Sequence, residues 1–251
     1  MPLSYETSSL SYDDVDLIYG KFIPAHVVPS PFSGERRSNR SKSPVRIFCN
    51  IYGVFADMTG RFAEKYDNHV VPCRLDCIID ETYVRNNISR DAVIAIVEEP
   101  EFWLNMEAYP WYKLLIEQFF NMCGGEYFLL LSFYDCEQLT DRVQWVWRHF
   151  GIANSRDRTI VMSSDSYSLL VKSRNDILID SDLLHCEKWS QAGGSAFFWP
   201  EIDSKCKDPS GLLYKRLKLL SDCINDLKGL SRVPWATKDP IEAIVSGSMA
   251  V

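Results

Sequence analysis

The sequence predicts an α/β domain built on a doubly wound parallel sheet, and three observations predict it. Short apolar runs of strand length recur along the chain, at 45–52, 127–132, 159–162, 176–180 and 196–199. Segments with helical spacing lie between several of them. The runs are almost continuously apolar instead of alternating, which is typical of parallel strands covered by helices on both faces.

Two predicted βα units support this fold class. The run at 45–52 is followed by Gly53 and by a helix-like stretch at 58–66, which gives a strand, a tight turn and a helix. The run at 127–132 is followed by a predicted helix around 136–150. Its apolar residues are spaced for one helical face and are Leu139, Val143, Val146 and Trp147.

The chain divides into a core and three additions. The predicted core comprises 45–66 and 126–205, and the 67–125 segment is too long for a simple crossover. We expect that segment to hold a small inserted cap followed by the crossover helix, with helix-like stretches at 90–98 and 112–122. The 206–251 segment begins with an amphipathic helix at 209–230 and ends in a tail without periodicity.

Residues 1–44 are predicted to form an N-terminal extension that ends in a basic, Ser-rich linker. A short strand is possible at 15–19, and the main ordered region is expected to begin at Val45. The basic stretch 36–46 suits contact with an acidic partner or a nucleic acid, although a solvated tether explains it more simply.

Composition excludes several classes of protein. The 251 residues are 46% hydrophobic and carry a formal net charge of −7, which argues against disorder and against a globally basic nucleic-acid binder. No apolar run approaches the ~18–20 residues that span a bilayer, and the polar N-terminus does not resemble a secretory signal. Eight cysteines without a CxxC pair favour reduced thiols over zinc. We therefore expect a cytoplasmic protein without membrane contact.

Polar residues end three of the predicted strands: Asn50, Ser132 and Asp180. Parallel strands bring such residues to one edge of the sheet, where ligands bind in α/β folds. Asp57 suits a structural role near the start of the first helix, because a carboxylate there is favoured by the helix dipole. A group of aromatic residues could stack on a base, but packing in a core or an interface is the commoner role; they are Phe102, Trp103, Tyr109, Trp111 and Tyr112.

Four stretches, in this order, resemble the motifs of haloacid-dehalogenase-like phosphohydrolases, in particular the 5′-deoxyribonucleotidase branch and its phage-borne members. They are Asn50-Ile51-Tyr52-Gly53-Val54-Phe55-Ala56-Asp57, the strand ending in Ser132, Lys172, and the stretch from Ile179 through Asp180 and Trp189 to Gly194. The resemblance covers about 45–201 and includes a cap insertion where that family has one.

The resemblance implies phosphoryl transfer through an aspartyl phosphate, assisted by Mg²⁺, but this chain departs from the motifs. Asn50 stands where the family has the nucleophilic aspartate, and Tyr52 stands where it has the aspartate that acts as acid and base. Ser181 replaces a further aspartate, and His185 stands at the place of the family's asparagine. An amide is a poor nucleophile and a weak magnesium ligand, and a phenol has an ordinary pKa near 10. We therefore expect no intact catalytic residue.

The remaining candidates are a phosphate pair and a metal pair. The resemblance gives Ser132 and Lys172 as phosphate ligands, with Asp180 and Asp182 as weak metal ligands. No cofactor is expected, except Mg²⁺ if some metal binding survives. His185 could be a new metal ligand, but a surface or cap contact is the commoner role of a lone histidine.

Three functions follow. The leading hypothesis is an inactive nucleotidase-like protein that serves as an interaction or structural component of a larger assembly with protein partners, in the host cytoplasm or a virion if the source is viral. The alternatives are a nucleotide phosphohydrolase of altered chemistry, which would use Asp180 and Asp182 with a metal-bound water, and a sensor that binds phosphate or a nucleotide weakly without turnover. If Tyr52 fills the pocket, both ligand-based alternatives weaken.

Overall fold

A six-stranded sheet organises the chain in the computed structural model, which describes residues 20–26, 44–66, 90–132, 138–202 and 206–229. The strands, in chain order, are β1 (Lys21–Ile23), β2 (Arg46–Asn50), β3 (Tyr127–Ser132), β4 (Thr159–Met162), β5 (Asp176–Asp180) and β6 (Ser195–Phe198). Their order across the sheet is β1-β6-β5-β2-β3-β4. All neighbouring pairs are parallel except β1 and β6. The predicted α/β fold class is therefore confirmed.

Helices flank this sheet. They are α1 (Met58–Tyr66), α2 (Arg90–Val97), α3 (Tyr112–Cys123), α4 (Leu139–Phe150), α5 (Ile152–Ser155), α6 (Leu183–Gln191) and α7 (Pro209–Lys228), and a 3₁₀ helix spans Ser164–Leu170. The apolar side chains of the sheet divide between two buried clusters. Ile47, Cys49 and Leu129 belong to the larger cluster, whereas Phe48 and Leu130 belong to the smaller one. Successive side chains of a strand thus enter different clusters, as expected for a sheet covered on both faces.

Strand β2 lies at the centre of the sheet. Cys49 pairs with Leu129 of β3 on one side and with Ile179 of β5 on the other. The carboxyl ends of β2, β3 and β5 consequently lie side by side. This edge of the sheet carries the polar residues that the sequence places at strand ends.

The N-terminal part of the chain contributes an edge strand that the sequence does not predict. Lys21 pairs with Phe198, so β1 extends the sheet in the antiparallel sense. The segment after β1 is bound to α6, because the backbone N–H of His26 and the Oγ of Ser190 donate to backbone carbonyls across the contact, at 3.0 and 2.6 Å. Order in the main domain thus begins before Val45. The possible strand at 15–19 and the linker at 36–43 lie outside the described residues.

The predicted cap is described only in part, since residues 67–89 lie outside the described ranges. The described portion contains α2, a turn-rich segment at 98–111 and α3. The aromatic residues of this segment are packed in the core, where Phe102, Trp103, Tyr109 and Trp111 are at most 7% exposed. The assignment of 67–125 as a cap remains a prediction, and so does the tail beyond Gly229.

A polar cluster lies where α1 and the segment after β6 approach one another. Asp57 accepts a hydrogen bond from the backbone N–H of Gly60 at 2.7 Å, which confirms its structural role at the start of α1. Thr59 Oγ1 donates to Glu201 Oε2 at 2.6 Å. Burial raises the pKa of Glu201 to about 8, and the neighbouring charge of Asp57 adds to the rise although the hydrogen bond from Thr59 opposes it.

The described helices include none that is both long and apolar enough to cross a membrane.

Candidate functional site

Asn50 and Asp180 meet at the carboxyl edge of the sheet because β2 and β5 are parallel neighbours. Both residues are buried, with exposures of 1% and 0%. Asn50 Nδ2 donates to Asp180 Oδ1 at 3.0 Å, and Asn50 Oδ1 accepts from the backbone N–H of Tyr52 at 3.3 Å. This pair of bonds fixes the orientation of the amide, since its NH₂ group must face the carboxylate.

Asp180 receives two further contacts from residues that follow β5 in the chain. The backbone N–H of Asp182 donates to Asp180 Oδ1 at 3.0 Å, and His185 Nδ1 lies 3.1 Å from Asp180 Oδ2. A carboxylate only accepts hydrogen bonds, so Nδ1 carries the hydrogen in this contact. Both oxygens of Asp180 are therefore occupied by donors from this chain.

His185 is buried at 5% exposure, so the expected surface position is wrong, whereas a contact with the cap stays untested. It lies in the first turn of α6, four residues before the buried Trp189, which places both side chains on the face of α6 that packs on the sheet. That spacing is the sequence signal that indicates burial.

Asp182 and Ser181 are engaged in local structure. Asp182 Oδ1 accepts from the backbone N–H groups of Leu184 and His185, at 2.5 and 3.3 Å, and so caps the N-terminus of α6. Ser181 Oγ donates to the backbone carbonyl of Tyr52 at 3.4 Å. The described hydrogen bonds of both side chains thus serve the local backbone around Asp180.

Tyr52 fills space at the end of β2. The backbone turns sharply after it, and Gly53 adopts a positive φ of 72° that other residues rarely adopt. The ring of Tyr52 is 2% exposed and lies 5.1 Å from the ring of Trp103. Burial raises the pKa of Tyr52 to about 12, although the nearby Arg142 opposes the rise. The phenol is therefore neutral at neutral pH.

Arg142 of α4 completes this group, although it belongs to none of the four motif-like stretches. Its guanidinium carbon lies 3.6 Å from the ring centroid of Trp103 and 5.7 Å from that of Tyr52. Its Nη1 donates to the backbone carbonyl of Ser132 at 2.5 Å. A signal was present in the sequence, because Arg142 lies three residues after Leu139 and four before Val146, on the predicted apolar face of the helix.

The two predicted phosphate ligands are separated in the structure. Ser132 is buried at the carboxyl end of β3. Lys172 has an exposed side chain, and its backbone N–H donates to Asp176 Oδ2 at 2.7 Å, at the first residue of β5. A strand rises ~3.3 Å per residue, so Asp176 lies about 13 Å from Asp180 along β5. The backbone of Lys172 is thus held at the opposite edge of the sheet.

The described residues around Asp180 do not fit a magnesium ion. Mg²⁺ requires near-octahedral coordination by oxygen, whereas Asp180 is surrounded by an amide NH₂, a backbone N–H and a ring nitrogen that carries hydrogen. In the described parts of the chain, no three His, Cys, Asp or Glu side chains converge in a way that could hold a metal ion.

The described residues around Asp180 also lack an activated nucleophile. Cys49 lies one residue before Asn50, and burial and then the charge of Asp180 raise the pKa of its thiol well above the ordinary value. A thiol with a raised pKa is inert at neutral pH. Among the described residues, this arrangement holds its own side chains in place through hydrogen bonds.

No family model matches the chain. An alignment 167 positions long, with 28% identity, covers 59% of the chain and 72% of the mitochondrial 5′(3′)-deoxyribonucleotidase of Mus musculus. Part of this chain is similar to a nucleotidase. The distant similarity supports the nucleotidase-like character that the motifs indicate, together with the α/β fold.

Proposed function

We propose that this chain is a nucleotidase-like protein that does not hydrolyse phosphoesters and that serves as an interaction or structural component of a larger assembly. The observation that carries the first part is the direct bond between Asn50 and Asp180. An amide stands at the place where the motif comparison puts a nucleophilic carboxylate, and its donor group points at the remaining acid.

Tyr52 supports the same conclusion. A neutral, buried phenol that packs on Trp103 cannot take the place of an aspartate as acid and base near neutral pH. General acid–base catalysis alone typically contributes 10²–10⁴-fold to a rate. The loss of the nucleophile acts on the same covalent step, so the two losses are not independent and their factors do not multiply.

The test is phosphate release from a panel of deoxynucleoside monophosphates with Mg²⁺. We expect no release by the wild type above that of a matched Asp180→Asn variant. A restored variant carries Asn50→Asp, Tyr52→Asp, Ser181→Asp and His185→Asn, and any activity it gains would show that the pocket survives. Release by the wild type that requires metal and disappears in Asp180→Asn would refute the proposal.

The assembly role rests on sequence outside the similar stretch, which leaves 41% of the chain without a counterpart in that match. It is tested by the size of the native protein in an extract of its source, measured beside the purified chain by gel filtration. We expect the native protein to elute in a larger complex that is stable to dilution. Elution of both at the size of a 28.9 kDa monomer would contradict the assembly role.

One observation favours a second candidate, a sensor that binds an anion without turnover. Arg142 is 7% exposed, it has no carboxylate partner among the described residues, and its Nε is buried without a hydrogen-bond partner. A buried cation without a counter-ion is costly, and a bound phosphate group would compensate it. Ser132 lies beside it.

Thermal unfolding in increasing phosphate or deoxynucleoside monophosphate, at constant ionic strength, tests this candidate. A ligand that binds only the folded state raises the melting temperature. We expect a saturable rise for the wild type and for Arg148→Met, which removes an exposed arginine of the same helix, but none for Arg142→Met. An equal response of all three proteins would eliminate the sensor.

A further inference from the structure

We infer that this chain has replaced a divalent cation by an internal hydrogen-bond network centred on Asp180, and that His185 is the residue that closes it. The inference rests on the proposed loss of hydrolysis and extends it to the metal. It predicts a site that is complete without any ion.

The first argument is the count of donors at Asp180. Oδ1 accepts from Asn50 Nδ2 and from the backbone N–H of Asp182, both at 3.0 Å, and Oδ2 lies 3.1 Å from His185 Nδ1. A buried carboxylate is stable only when it is paired and hydrogen-bonded, and here three donors of the chain meet that requirement. Asp180 is 0% exposed, so bulk solvent does not reach its carboxylate.

The second argument is that several of the surrounding oxygens already take part in hydrogen bonds of the chain. Asn50 Oδ1 accepts from the backbone N–H of Tyr52, and Asp182 Oδ1 caps α6. Ser181 Oγ donates to the backbone carbonyl of Tyr52. A cation at Asp180 would have to break several of these bonds at once, and it would meet the hydrogens of Asn50 Nδ2 and His185 Nδ1 instead of lone pairs.

The third argument is the placement of His185. The ring of Tyr167 in the 3₁₀ helix lies 5.4 Å from the imidazole ring, nearly edge to face, and both residues are buried. The backbone N–H of His185 is bound to Asp182 Oδ1 in the cap of α6. The ring therefore has a fixed position against Asp180, which a mobile surface histidine would not have.

The direct test measures metal binding to the full chain. Mn²⁺, a spectroscopic substitute for Mg²⁺, is titrated into the wild type and into Asp180→Asn, with free Mn²⁺ followed by electron paramagnetic resonance. We expect no saturable binding that depends on Asp180, and no change in melting temperature between Mg²⁺ and a chelator. Saturable Mn²⁺ binding by the wild type that is lost in Asp180→Asn would overturn the inference.

A gain of binding gives the converse test. The variant Asn50→Asp with His185→Asn removes both side-chain donors and restores a carboxylate. At Mg²⁺ concentrations of about 100 times Kd, we expect its melting temperature to rise by roughly 5–10 °C, while Asn50→Asp with His149→Asn stays unresponsive. Equal responses of the two variants would show that His185 does not close the site.

The ¹⁵N resonances of the wild-type His185 ring provide a readout that does not depend on any variant folding. We expect a protonated Nδ1 whose shift is unchanged by Mg²⁺. An unprotonated Nδ1, or a shift that follows Mg²⁺, would contradict the network. Hydrolysis by a protein that binds no metal would refute only the proposed function, whereas Mn²⁺ binding at Asp180 without hydrolysis would refute only this inference.

Discussion

Glu201 shows how burial near a second carboxylate changes the behaviour of a single residue. Its Oε2 accepts from Thr59, and its Oε1 is buried without a hydrogen-bond partner. Burial raises its pKa to about 8 from an ordinary value of 4.5. The folded protein therefore holds a proton on Glu201 at pH values where the unfolded chain has released it.

This difference predicts the sign of a pH effect on stability. Between pH 4.5 and about 8 the folded state binds more protons at Glu201 than the unfolded state, so this residue makes unfolding easier as pH rises through that window. Urea unfolding at several pH values measures this effect. The free energy of unfolding of the wild type should decline as pH rises, and the decline should be smaller in Glu201→Gln. Glu117→Gln, on the exposed side of α3, should follow the wild type. Parallel pH profiles for Glu201→Gln and the wild type would show that Glu201 ionises normally.

Sequence reasoning at the residue scale predicts which positions matter better than it predicts their contacts. Asn50 and Asp180 are identifiable because strand ends meet at one edge of a parallel sheet. The burial of His185 is harder to predict because its partner, Asp180, lies five residues earlier, at the end of β5. The burial of Arg142 is harder to predict because a charged side chain is normally exposed. Both are buried because a carboxylate and an aromatic ring face them, and tertiary packing decides that.

Among the elements, β1 depends most on contacts outside itself. It has three residues, its Lys21 is exposed, and it gains its strand conformation from pairing with β6. Gly20 precedes it with a φ of +82°, and a Cβ there would lie 2.7 Å from the carbonyl oxygen of Phe198. This glycine allows the chain to approach β6 closely.

Gly20→Ala should therefore weaken the attachment of β1. Gly124→Ala is a matched control, since Gly124 has a similar φ of +67° but no atom lies within 4 Å of the Cβ that the substitution would add. The left-handed backbone alone costs about 1–2 kcal/mol, and we expect Gly20→Ala to cost about 1–3 kcal/mol more through the clash. Urea unfolding measures both costs, and amide exchange at Phe22 reports the loss of pairing. Equal costs would mean that β1 adjusts freely.

The helices were the most predictable elements. The predicted bounds of α1, α3 and α7 lie within about two residues of the observed ones, and the apolar spacing of α7 is the clearest of these signals. The 139–150 helix begins three residues later than its predicted start around 136. Strand β1 had no comparable signal, because three residues are too few to show a period.

For the molecule as a whole, the alternation of apolar strands and helices was enough to predict a parallel sheet covered on both faces. It did not predict the strand order β1-β6-β5-β2-β3-β4 or the antiparallel edge, since composition does not encode which strands are neighbours. The same limit applied to the site. Topology brought Asn50 and Asp180 together, but the orientation of the amide and the position of Arg142 depend on packing among residues that are distant in sequence.

The pairing of Lys21 with Phe198 also determines when β1 can join the sheet during synthesis. At a synthesis rate of about 5–20 residues per second, the roughly 177 residues between the two partners take about 9–35 s to emerge. Throughout that interval β1 has been made but its neighbour does not exist. The first described strand of the chain is thus among the last that can join the sheet, and during translation the nascent protein must keep it from pairing elsewhere.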